Sequence, residues 1–208
     1  MVRVDWLRGG RVLRSAPWPS LLASLAAAAL LICIAAAAHN TGLTGPTTLL
    51  WLAACGAAAA HGLDETATSV ADASPTSRRH RLGWRMLLVI LPMTVAIAGL
   101  LLLNDLDPET QWLRLLPFAA GTVAIGTGLA AAMRHRGTAA PGDLAGAITF
   151  VGVILVVAID PLRRWVTLLP FGDTEQAGRS SALWFAVVVG CIVVTLACTR
   201  DPGRPGTR

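Results

Sequence analysis

The residues with the widest chemical range in this chain are four histidines and four cysteines. His39 and His61 each adjoin a long apolar stretch, which raises haem ligation or a proton relay, because ionisable groups at membrane depth are often functional. A bis-histidine haem needs two ligands at matching depth on facing helices. His39 follows the first apolar stretch and His61 ends the second, so an up-and-down arrangement sends them to opposite surfaces, while His80 and His135 fall in basic loops. Each is expected to be a helix-end histidine. Cys33, Cys55, Cys191 and Cys198 all lie inside apolar stretches, and no two have the spacing of a redox or zinc pair, so they read as small buried hydrophobes. The apolar stretches contain no acidic residue, which argues against an ion-coupled carrier. No glycine-rich phosphate loop, metalloprotease helix or serine elbow is found. The chain is therefore expected to be no enzyme and to hold no catalytic residue, cofactor or metal of its own.

The elements that would position such residues are legible from charge. Only 14% of the 208 residues are charged and 54% are hydrophobic, far from the ~25% charge of soluble domains. Six blocks contain no Asp, Glu or Arg: 20–38, 47–63, 86–103, 115–133, 144–159 and 182–199. Each has 16 to 19 residues, close to the ~20 that carry a helix across a hydrocarbon core about 30 Å thick. None of the intervening pieces exceeds 22 residues, below the ~40 that a folded soluble module usually requires. The expected fold class is an all-α, polytopic transmembrane helical bundle of six spans. Any energy source would have to be a partner or an ion gradient.

All 17 basic residues are Arg. Counted on alternate sides of six spans, 13 fall on the side of the termini and 4 on the other, so both termini are expected in the cytoplasm. The net charge of +5 is then a mark of topology, and no nucleic-acid partner is expected. The leader and the Ala run at 35–38 imitate a secretory signal, but an apolar stretch of 19 residues is longer than the usual 7 to 15, and retention is expected. Residues 1–19 read as a cytoplasmic interfacial segment, with Trp6 at headgroup level among Arg3, Arg8, Arg11 and Arg14. Residues 20–208 form the six-span domain.

Two connecting pieces stand out. The cytoplasmic segment 64–85 opens with Asp64 as a plausible N-cap and Glu65 in the first turn, and Pro75 ends the element, giving a helix of roughly two to three turns. Ala67, Val70 and Ala71 share a small face suited to a shallow groove on another protein, with Asp64, Glu65 and Asp72 offered to basic groups. A solvated linker with an arginine stop is the other reading. On the outer side, 160–181 starts with an apolar run between two prolines that fits an interfacial or re-entrant helix. Within the spans, Ala120, Ala124, Gly128 and Ala132 recur every fourth residue, as do Gly56 and Ala60, and such stripes let helices approach closely.

With its basic N-terminal segment, six spans, the acidic-start, Ser-Pro, arginine-rich stretch from Asp64 to Arg79 and the apolar outer excursion, the chain resembles the membrane (permease) subunits of bacterial type-2 ABC exporters, in a small actinobacterial form. The resemblance implies a plasma-membrane, multi-pass permease in which a second permease subunit and separate ABC ATPase subunits complete the machine. It implies ATPase contacts at Asp64, Glu65, Ala67, Val70, Ala71, Asp72, Arg78 and Arg79. The near-charge-free spans favour an amphipathic cargo. The alternative is a non-transporting membrane scaffold or sensor subunit that binds a cytoplasmic partner. Single cysteines introduced near residues 70 and 110 are expected to label from opposite compartments in a background lacking the native cysteines. Labelling from one compartment would remove the six-span reading.

Overall fold

The computed structural model describes residues 16–39, 41, 43–64, 78–138, 140–159, 168–169 and 174–198. Every regular element among them is helical: α1 (Trp18–Ala37), α2 (Thr44–Gly62), α3 (Arg78–Leu106), two 3-10 turns (Pro108–Thr110 and Trp112–Leu115), α4 (Leu116–His135), α5 (Pro141–Ile159) and α6 (Thr174–Cys198). Each charge-free block falls on one helix. Five of the helices are long and apolar enough to cross a membrane, and α2 is the exception. Its position explains the difference. Every residue from 51 to 60 is buried, and α1, α3, α4 and α5 all pack on it. A helix that touches protein on every side needs small residues for close approach, and large aliphatic ones would only hold its neighbours away.

Large apolar side chains cover the exterior as well as the core, unlike in a water-soluble bundle. Ala53, Ala54, Cys55, Ala57, Ala58 and Ala59 fill the centre, while Leu30, Ile90, Leu101, Leu155, Phe185 and Leu196 point outward. Water-exposed monomers rarely tolerate such a continuous apolar exterior. The chain is built as a multi-pass membrane protein.

Two close approaches set the geometry of the centre. A Cβ placed on Gly126 of α4 would run into the backbone carbonyl of Gly56 on α2. One placed on Gly56 would meet the Thr122 carbonyl oxygen at 2.7 Å and the Thr149 methyl at 3.0 Å. Thr122 Oγ1 donates to the Leu52 carbonyl across the interface (3.2 Å) and to Ala119 within its own helix (2.9 Å). Hydrogen bonds of this kind join helices where no hydrophobic force acts between them.

On the far side of α4, the missing Cβ of Gly121 leaves room for the indole of Trp184 from α6. That ring meets Phe118 edge to face, with centroids 4.7 Å apart at 87°. Its Nε1 donates to the Leu168 carbonyl (2.9 Å), which also accepts from Ser180 Oγ (3.2 Å). Leu168 is itself buried, and both hydrogen bonds tie it to α6.

Two of the connections among the described residues are short and locally satisfied. The hydroxyls of Thr41 and Thr44 both donate to the Ala38 carbonyl at 2.8 Å, closing the end of α1. Between the two 3-10 turns, Gln111 adopts φ +53°, a left-handed conformation that reverses the chain.

Two helices begin about two turns earlier than the charge-free blocks imply. The run from Arg78 to Arg85, expected as part of the linker 64–85, forms the first two turns of α3, and the 174–181 part of the outer segment 160–181 forms the start of α6. Charged residues at helix ends lie at the membrane interface, where they cost little, so a charge marks the limit of the hydrocarbon and not of the helix. Glu175 and Arg179 pair one turn apart at the start of α6. At 29 residues, α3 spans about 44 Å, more than a hydrocarbon core of roughly 30 Å. The expectations for the interfacial segment at 1–15 and for the run at 160–167 lie outside the described residues.

Replacing Gly126 with Ala is expected to destabilise the bundle by about 1–3 kcal/mol, the usual cost of overpacking. Gly152→Ala, at a position with open space around the site of its Cβ, is expected to be neutral. Thermal unfolding of both variants in the same detergent checks the contrast.

Candidate functional site

At the end of the bundle where α2 and α4 stop and α5 begins, side chains from four helices converge on the root of the 65–77 segment. The ring of His61, in the last turn of α2, has Nδ1 3.4 Å from Asp143 Oδ1 in the first turn of α5. Its other edge lies along α5, where a Cβ on Gly146 would sit 3.2 Å from Nε2. Asp64, two residues beyond α2, is 5% exposed, and a Cβ on Gly142 would come within 2.8 Å of its side chain. Gly142 and Gly146 thus give α5 a bare stripe on which the end of α2 rests.

The other contacts come from α4 and α3. Arg134 Nη1 donates to the Leu63 carbonyl at 3.4 Å, bringing a cation to a C-terminal carbonyl, as the helix dipole favours. Arg85 of α3 is 1% exposed, and Leu88, one turn on, packs against Gly62 at the end of α2.

The chemistry available here is limited. At 3.4 Å the His61–Asp143 contact is longer than a strong hydrogen bond, and Asp143 is 69% exposed, so the pair is a loose electrostatic neighbour and no catalytic dyad. Among the described residues, no group of three or more His, Cys, Asp or Glu side chains could hold a metal. What the arrangement does is mechanical: it fastens the ends of α2, α4 and α5 to one another.

Of the predicted contact residues, Arg78 and Arg79 form the first turn of α3. Glu65, Ala67, Val70, Ala71 and Asp72 lie outside the described residues. Asp64 faces inward onto Gly142 and is not presented at the surface as expected from its N-cap position. His39 is a helix-end residue, with Nδ1 2.9 Å from the Ala36 carbonyl, at the opposite end of the bundle from His61.

Of the four-residue stripe on α4, Gly128 is buried against Cys191 of α6, with a Cβ there falling 3.3 Å from the Cys191 Cβ. Ala120, Ala124 and Ala132 are only half-buried. The tight α2 contact is made by the neighbouring row, Thr122 and Gly126. A second small row, Gly178, Ala182, Ala186 and Gly190, lies exposed on the side of α6 turned away from Trp184.

The pairing of His61 with Asp143 and the seats at Gly142 and Gly146 were not anticipated. A signal was present: Gly-Asp at 142–143 heads α5 at the same end of the bundle as the end of α2. Comparison with family models, with curated proteins and with solved structures finds no match.

Asp64→Ala is expected to speed amide hydrogen exchange at residues 60–64 and 141–146 by ~10-fold, corresponding to about 1.4 kcal/mol of local stability. Asp143→Asn is expected to change it by less than about 1 kcal/mol, because the carboxylate is largely solvated. Exchange followed by mass spectrometry separates the two.

Proposed function

We propose that the chain is a six-span permease subunit of an ATP-driven type-2 ABC exporter in a bacterial plasma membrane, with both termini in the cytoplasm. In this reading two permease subunits assemble with two separate ATPases, and ATP-driven closure of the ATPases pushes on the 64–77 segment. The cargo is amphipathic, in keeping with spans that carry almost no charge.

The observation that carries the reading is the set of attachments at the root of that segment. A coupling element works only if its displacement reaches the membrane helices. The segment leaves α2 at Asp64, which is seated on α5, directly after Leu63, whose carbonyl is held by Arg134 of α4. It returns as the first turn of α3. A push delivered there is transmitted at once to four helices, and α2 carries it into the centre of the bundle. Differential contact with two states is what a nucleotide-driven switch requires.

The six-span count adds α2 to the five helices long and apolar enough to cross; in this reading its enclosure by α1, α3, α4 and α5 lets it cross with small residues. The orientation draws support from the arginine asymmetry.

The test is affinity purification of the tagged chain from its native membrane in mild detergent. Co-purification of a nucleotide-hydrolysing subunit is expected. Val70→Asp combined with Ala71→Asp should reduce that association by ~10-fold, the equivalent of about 1.4 kcal/mol, and should abolish ATP-dependent efflux. Isolation of the chain without any nucleotide-hydrolysing partner would overturn the proposal.

A further inference from the structure

The geometry points to a lipid-binding site: one acyl chain of a bilayer phospholipid seats in a lateral groove between α3 and α6, over the first turns of α4. The groove encloses about 590 Å³. Its floor is Leu116, Pro117 and Ala120 of α4, one wall is Met93 of α3, and the other is Ala182, Phe185 and Val188 of α6.

Its origin lies in the packing of α6. Trp184 wedges its indole against Gly121 and Phe118, so α6 rests on α4 through a large ring. On the flank of that ring α6 presents Ser181, Phe185 and Val188 to the groove, with Ala182 at its outer edge. On the opposite wall, Pro92 precedes Met93 inside α3 and lacks the N–H that a regular helix would supply at this level.

The lining chooses the occupant. Its one polar side chain, Ser181, donates its hydroxyl proton to the Ala177 carbonyl of its own helix at 2.9 Å, so the side chains of the groove offer a polar ligand no donor and only that one acceptor oxygen. The rim is continuous with the faces that lipid solvates: Phe185 is 68% exposed, and Val189 and Ile192 extend the same surface along α6. In a bilayer, an apolar groove open to that surface is filled by what surrounds it. A helix about 10–12 Å across displaces on the order of 500 Å³ in a single 5.4 Å turn. The groove would hold little more than one turn of a partner helix, whereas a flexible alkyl chain can follow it from the start of α4 to the middle of α3. This site stands apart from the ends joined by His61 and Asp64, and it does not depend on the exporter reading.

The experiment is native mass spectrometry of the full chain purified in mild detergent, together with photolabelling in vesicles containing a phospholipid with a diazirine on its acyl tail. A phospholipid adduct is expected on the wild-type chain, with crosslinks within 116–120 and 181–188. Ala120→Trp, which fills the floor, and Val188→Trp, which fills the wall, should each lower adduct and labelling by ~10-fold, while Leu155→Trp on the outer face of α5 should leave both unchanged. The two filling variants are independent, so misfolding of either leaves the other to decide. If both misfold, the position of the wild-type crosslinks decides. A wild-type chain without adduct, crosslinks confined to other helices, or an adduct that persists in a folded filled variant would each overturn the proposal.

Discussion

The contact on which the bundle depends is the near-touching of two backbones, α2 against α4 at Gly56 and Gly126. Between helices in lipid no hydrophobic force is available, and what holds them is dense van der Waals contact and hydrogen bonding across the interface. The absence of side chains at these two positions lets Thr122 reach the Leu52 carbonyl and brings the row of small residues on α2 within range of α4 and α5. Because α2 is enclosed, its alanines, Cys55 and Gly56 never face lipid tails along its central turns. Its low apolarity is a result of that enclosure.

The two ends of the bundle are built differently. At one, charged and polar groups from α2, α3, α4 and α5 meet around Leu63 and Asp64, and glycines on α5 provide the seat. At the other, aromatic packing dominates: Trp184 and Phe118 join α6 to α4, and the Leu168 carbonyl accepts from both Trp184 and Ser180. Helix α6 has the least buried apolar stretch of the five candidate spans. The first end joins four helices, and the second holds one helix at the periphery.

Much of the fold was legible because charge is excluded from hydrocarbon so strongly that gaps between charged residues outline the helices. Six blocks gave six helices, with ends displaced wherever arginine or glutamate continued the helix into the interface, as at Arg78 and Glu175. Packing partners were less legible. In a chain this rich in alanine, a row spaced by four occurs on several faces, and Ala120, Ala124, Gly128 and Ala132 could not be told from the row that includes Thr122 and Gly126 without knowing where the neighbours lie. The candidate site was partly visible, as Asp64 and the arginines after it. Its closest partners, Gly142, Asp143 and Gly146, lie some eighty residues further along the chain, and only the alternation of spans brings them to the same end.

The modest apolarity of α2 also bears on how the protein is made. On the six-span reading, a segment carrying Thr44, Thr47, Thr48 and His61 is a poor candidate for independent release from a translocation channel into lipid. Its predecessor α1 is strongly apolar and is joined to it by a turn whose hydroxyls already close the end of α1. On that reading the two would enter the membrane as a helical hairpin, with the enclosure of the second arm completed only once α3, α4 and α5 pack around it.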